Sequence, residues 1–380
     1  MPRTAPPPPR LVARLITIVF GAVVIASTSG GSINVVNASL KAAGTAARVG
    51  DQAADRKGSV WVVNRDAGTL AVFDAASGNL LTAPLFVGNG AHDICISEQT
   101  GRAYITAETD NAVTVVDIET LDIRSIPVGP MPHHIEPSND GHSIYVGLAS
   151  HAAAVGPAQY AVIDTRDQSV VYRNSTKPTD FARAHGMTPT LDGERLYVAH
   201  DSGNMVTGLD TDSGEVGLTV KQIPRAEEVV PSRFGDLLWV SARGDNTVKR
   251  IDLASGTVTA SVPVDVEGKG IQPESIMLTP NELALVVSLR GRPASLAFID
   301  TLALKALPLV RIGPEDNSAG DLAVMTQNGH FVYATYDNDA AGTGGVAVVD
   351  VRTREVVKTW QYPTTGRPHG IWYSKKQPRF

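Results

Sequence analysis

One cysteine in 380 residues leaves no internal disulfide to be formed. With Cys95 alone there is no C-x-x-C redox pair, no C-x-x-C-H haem attachment and no cysteine-based zinc finger. Aromatic residues make up only 6% of the chain and the formal net charge is −6, which argues against stacking or electrostatic capture of nucleic acid. No phosphate-binding glycine loop and no G-x-S-x-G nucleophile turn occur. No long stretch repeats its apolar residues every 3.6 positions, so helical architectures are disfavoured.

What is present is a chain 43% hydrophobic, with 35 glycines and 24 prolines: material for a large core cut by many turns. The first 26 residues carry Arg3, Arg10 and Arg14, then an apolar run from Leu15 to Ala26. At 12 residues that run is too short to span a bilayer and suits the core of a secretory signal. Residues 1–26 are therefore expected to be a signal peptide, with a retained anchor as the rival. Its removal takes away three arginines and no acid, moving the charge from −6 to about −9. Residues 27–55 are small, polar and aperiodic, and are expected to be a flexible leader. Cys95, within "HDICIS", is expected to be a buried free thiol.

From residue 56 to 380 the texture is uniform and repetitive. Apolar strands end in Asp74, Asp117, Asp164, Asp210, Asp252, Asp300 and Asp350, spaced 42 to 50 residues apart. Aspartate just before a turn caps that turn with its own side chain, a structural role. A second element precedes each of these strands, as in "AHDICISEQTGRAYIT", "PHHIEPSNDGHSIYVG" and "AHGMTPTLDGERLYVA". It reads as a short strand, a turn holding Gly141, Gly193, Gly235 or Gly329, and another strand. Glu282 replaces glycine in one unit, so a turn of different shape is expected there.

Four short strands per unit, seven times over, specify an all-β, seven-bladed β-propeller with four-stranded blades. The repeat "VGPMPHHIEPSNDGHSIYVGL…YAVIDT" resembles the YVTN-type repeat family of seven-bladed propellers, related to lactonase-like propellers, over about residues 58–374. That resemblance implies the fold but spans several activities. The registers at the two termini are offset. The chain opens with three strands that lack an inner partner and closes with "HGIWYS", an inner strand that lacks its three. One blade is thus expected to be completed from both ends.

The residue at each inner-strand start falls at an equivalent place on every blade, near one mouth of the central channel. These residues are His369, His92, His133, His185, Glu227, Glu274 and Gly320 in order around the ring. Four of the nine histidines thus occupy one repeat position on successive blades, followed by two glutamates. Imidazoles with carboxylates form ligand sets for Zn, Fe, Mn or Cu. His92, His133, His185, His369, Glu227 and Glu274 are the candidate ligands, with His134, Glu228 and Asp321 in support. The rival reading has each histidine bonding a neighbouring blade. His142, His151, His200 and His330 read as solvated, and Arg183, Arg225, Arg243, Arg290 and Arg292 as salt-bridge partners.

The expectation is a secreted or periplasmic monomer that binds a metal or small ligand at the channel mouth. It would meet small molecules or proteins on a propeller face, without nucleic acid and without a membrane span once the signal is cleaved. A metal-dependent hydrolase, lyase or oxidoreductase, and a non-catalytic interaction scaffold, are the alternatives.

Overall fold

The computed structural model describes residues 56–148, 159–174, 183–264, 271–314, 317–338 and 342–379, together with the backbone of four short N-terminal strands. Those strands pair as Ile16–Val19 with Ala22–Ile25 and Thr28–Ser29 with Ser32–Ile33, in a unit of their own, Met1–Gln52. The signal and leader expected at 1–26 and 27–55 lie mostly on this unit, and their side chains are outside the described residues.

The second unit, Ala53–Phe380, is a ring of seven antiparallel sheets. Blade 1 is the closure blade. Its inner strand, Pro368–Ser374, pairs with Ser59–Asn64, and Thr69–Asp74 and Leu85–Phe86 follow outward. The pairing runs from Pro368 against Asn64 to Ser374 against Ser59, so the last inner strand joins the first outer ones. The inner strands of the other blades are Ala91–Ser97 (blade 2), Pro132–Pro137 (blade 3), Met187–Pro189 (blade 4), Ala226–Pro231 (blade 5), Gln272–Leu278 (blade 6) and Ala319–Met325 (blade 7). No helix among the described residues is long and apolar enough to cross a membrane.

Alternation along each strand sends successive side chains to opposite sheet faces, and both faces here meet another blade. Val60 and Val62 pack against Phe331 and Tyr333 of blade 7, while Trp61 and Val63 pack against Ile94 and Ile105 of blade 2. The core is accordingly seven apolar clusters, each lying between two adjacent blades. Cys95 is buried in one of them as a free thiol.

The seven strand-ending aspartates accept hydrogen bonds from backbone N–H groups two or three residues on, as from Ser77, Glu119, Arg166, Ser213, Ser255, Leu302 and Thr353. One turn expectation fails. Glu282 adopts φ +58° and donates its N–H to Thr279, as Gly193 does to Thr190 and Gly329 to Thr326. The turn keeps its shape and the glutamate takes the left-handed conformation.

Every inner strand with a full register slips at one place. The shift lies between Pro368 and Ile371, Ala91 and Ile94, Pro132 and Ile135, Ala226 and Val229, Pro273 and Ile276, and Gly320 and Ala323. An extra residue in one strand bends it and re-aims its side chains. The two residues in each bulge are His369–Gly370, His92–Asp93, His133–His134, Glu227–Glu228, Glu274–Ser275 and Asp321–Leu322. The blade-7 member of the ring is therefore Asp321 and not Gly320, which instead pairs with Tyr336.

Candidate metal centre

The bulges put the ring residues at one mouth, and hydroxyls hold them there. Thr106 donates to the His133 carbonyl, Ser241 to that of Glu274 and Thr335 to that of His369, each reaching from one blade to the next. His92, His133, His134, His185, His369, Glu227 and Glu274 are all buried, none more than 7% exposed.

Five imidazoles gather in this ring. The His92 centroid lies 3.9 Å from that of His133 and 4.1 Å from that of His369. His134 lies 4.7 Å from His133 and 4.5 Å from His185. Ligand atoms of His92, His133 and His134 fall within 4.8 Å of one another; so do those of His134, His185 and Glu228, and those of His185, Asp201 and Glu227. His134, expected only to support the site, shares two of these groups. Glu274 joins none of them and pairs instead with Arg243 and, at 3.7 Å, Arg290. His369 stands beside Asp321 at 3.2 Å, outside the three groups.

Carboxylates and carbonyls accept hydrogen bonds and cannot donate them, so the partners fix where protons sit. His133 Nδ1 lies 2.6 Å from Glu108 Oε1, His134 Nδ1 3.0 Å from Asp93 Oδ2 and 3.2 Å from Glu228 Oε1, and His185 Nδ1 3.0 Å from the Glu227 carbonyl. Each Nδ1 then donates, which leaves the neutral His133 a lone pair on Nε2. His133 Nε2 and His185 Nε2 are 3.2 Å apart, and Glu227 Oε2 is 2.9 Å from the latter. A proton on His185 Nε2 is shared between Glu227 Oε2 and the lone pair of His133 Nε2. The buried His134 Nε2 and His92 Nδ1 have no hydrogen-bond partner, and His369 Nε2 has only the Asp321 carboxylate beside it.

Burial and the neighbouring histidines push His92 and His133 well below the usual imidazole range, and burial takes His369 down to about 4. These rings are neutral at pH 7, the form that binds metals. His134 differs. Burial opposes its charge, but Glu228 and Asp93 raise it to about 9. Glu228 is itself raised to about 7 by burial and by the acids Asp93 and Glu227, against the pull of His134. It crosses from blade 5 to blade 3 over Gly186, where an added Cβ would stand 2.2 Å from Glu228 Oε2. Burial works against the Glu227 charge too, yet His185 and Arg243 hold it at about 2. Carboxylates and carbonyls on Nδ1, with Nε2 turned inward, are how proteins orient metal-binding histidines.

Sequence reading missed Asp93, Glu108 and Asp201. The signal was one repeat position at or just past the end of the second strand, where Arg65, Glu108, Asp201, Arg243, Arg290 and Asp337 stand on six blades. These charges form an outer ring: Arg65 pairs with Glu108 at 2.7 Å and Arg243 with Glu227 at 3.0 Å. The other arginines singled out are paired as expected, Arg183 with Asp201, Arg225 with Glu227 and Arg292 with Asp337. His200 contradicts its solvated reading, being 2% exposed and bonded through Nε2 to Thr207 Oγ1 at 2.8 Å. His151 lies outside the described residues.

Fold and site together define a seven-bladed β-propeller with buried histidine and carboxylate groups placed to hold a metal ion at one channel mouth. No protein-family model matches the chain, and no curated protein does. Solved structures do match in fold. Kuenenia stuttgartiensis hydrazine synthase is 19% identical, with a TM-score of 0.65 over 78% of this chain and 93% of that one. A dihydro-heme d1 dehydrogenase is 15% identical, with a TM-score of 0.58 over 83% and 75%. Virginiamycin B lyase from Staphylococcus aureus is 16% identical, with a TM-score of 0.58 over 83% and 95%. Enzymes are thus among the propellers this chain resembles in architecture.

Proposed function

We propose that the protein binds a divalent transition metal at the channel mouth through His92, His133, His134 and His185. Glu108, Asp93, Glu228 and the Glu227 carbonyl orient the rings. The observation that carries this reading is the convergence of buried ligand atoms: those of His92, His133 and His134 lie within 4.8 Å of one another, and His133 Nε2 is 3.2 Å from His185 Nε2. Lone pairs in a dry site repel unless a cation lies among them. An imidazole-rich donor set suits Zn, Cu or Fe better than Mg or Ca. In this reading the propeller works as a monomer outside the cytoplasm, in keeping with the signal-like residues 1–26.

Cobalt substitution tests the site directly. Co²⁺ added to metal-free protein should give the intense visible bands of a low-symmetry nitrogen-rich site, and His133→Ala with His185→Ala should abolish them. Weak bands like those of the hydrated ion, unchanged in the double variant, would reject the assignment.

A second reading, a metal-dependent hydrolase or lyase, draws on a cavity of about 350 Å³ that occupies the central channel and reaches Asp93, His134 and Glu228. A substrate in that space would meet the site, and one architectural neighbour is named as a lyase.

A further inference from the structure

The channel has a chemistry of its own. Its cavity of about 350 Å³ is walled by all seven inner strands, within the size range of small-molecule sites. Most of the wall is apolar or aromatic, with Ile94, Ile276, Leu322, Ile371 and Trp372 among its residues. Three carboxyl groups open onto it, those of Asp93, Glu136 and Glu228. The one basic side chain in the lining, His134, is already engaged by Asp93 and Glu228. It is 5% exposed, and its Nε2 has no partner.

Glu136 lies two residues beyond His134 on the same strand, about 7 Å deeper. Its position on the other blades is taken by Trp372, Cys95, Thr188, Val230, Met277 and Val324. A single carboxyl therefore stands in an otherwise uncharged belt. A lone carboxyl group in such surroundings is held neutral unless a cationic partner charges it, and the apolar walls suit a hydrocarbon body.

We propose that the central channel is a chamber for a small organic cation, an amine with an apolar body, whose ammonium group pairs with Glu136. The entrance is the mouth opposite the histidine ring, near Gln327 and Tyr373, because the ring side chains fill their own mouth. The chamber borders the proposed metal site through His134, Asp93 and Glu228, but Glu136 is not a candidate ligand and the apolar walls do not depend on a bound metal.

Calorimetric titration of hexylammonium, hexan-1-ol and hexanoate into metal-free and metal-loaded protein tests it. Hexylammonium should bind once per chain, at least about tenfold tighter than hexanol, with hexanoate showing no binding. Each methylene removed from the amine should weaken binding about fourfold. Glu136→Gln should cost about tenfold or more, and Ala323→Phe, which narrows the channel, should block binding. Both variants should keep the wild-type metal content. Equal binding of hexanol or hexanoate, an unaffected Glu136→Gln, or no saturable heat from hexylammonium in folded protein overturns the proposal. Metal content separates the two readings, since amine binding without metal sinks only the metal centre, and metal without amine binding sinks only the chamber.

Discussion

His133 Nε2 and His185 Nε2 stand 3.2 Å apart, each with its Nδ1 proton committed to an acceptor. Two nitrogens bound to one tetrahedral ion at about 2.0–2.1 Å would lie roughly 3.3 Å apart. The spacing built by blades 3 and 4 is thus already that of a ligand pair. Glu108 fixes one of the two rings from blade 2. Glu108→Gln keeps the shape but weakens the hold on His133, and metal affinity should fall about ten- to a hundredfold. Competition against a chromophoric chelator measures this, and an unchanged affinity would remove Glu108 from the site.

Gly186 matters for a steric reason. A Cβ there would meet Glu228 Oε2 at 2.2 Å and the Glu227 carbonyl at 2.5 Å. Gly186→Ala should push Glu228 off His134 and destabilise the fold by about 1–3 kcal/mol. Chemical denaturation should show the loss, and metal affinity should drop with it. Full stability in the variant would mean that the crossing of Glu228 over blade 4 is not needed.

Stability of the metal-free protein should peak between about pH 6 and 7. The unfolded chain takes up protons on histidine near 6.5, whereas folded His369 resists until about 4 and His92 and His133 also lie well below the usual range. The unfolded state therefore binds more protons as pH falls below 6.5, and stability is lost in that direction. Glu228, raised to about 7, and Glu136, pushed up by burial and the neighbouring acids, oppose this, but His185 is lowered by burial as well, so the histidines outnumber them. His134, raised to about 9, contributes stability that is complete below 6.5 and lost as pH rises through 9. Thermal melts from pH 5 to 10 check the curve; a melting temperature that rises from pH 7 to 5 would contradict it.

The ring closure makes its own demand. Deleting residues 366–380 removes Trp372, Tyr373 and the partner of strand Ser59–Asn64, baring that strand's edge and the Tyr333 ring that stacks on Tyr373 at 5.9 Å. The shortened chain should aggregate or melt far below the full chain in light scattering and circular dichroism. A soluble truncation with unchanged melting would show that blade 1 holds without its inner strand.

Blade number and closure were legible because they rest on repetition: seven aspartate turns and an unmatched "HGIWYS" needed only counting. The ring of His369, His92, His133 and His185 was legible for the same reason. The rest depended on backbone detail. A one-residue bulge decides that Asp321 and not Gly320 faces the ring, and it brings His134 in beside His133. Glu274 carries the same repeat position as the histidines, yet Arg243 and Arg290 draw it away. The Asp93 carboxylate, which reaches from blade 2 to His134 on blade 3, has no signature in a strand pattern.

The most direct test is the metal content of untagged protein, purified without chelator and measured by plasma mass spectrometry beside the His133→Ala/His185→Ala variant. The account predicts about one transition-metal ion per wild-type chain and close to none in the variant, with both folded by circular dichroism. Wild-type protein that carries no stoichiometric metal and takes up none on addition of Zn²⁺, Cu²⁺ or Fe²⁺ would contradict it.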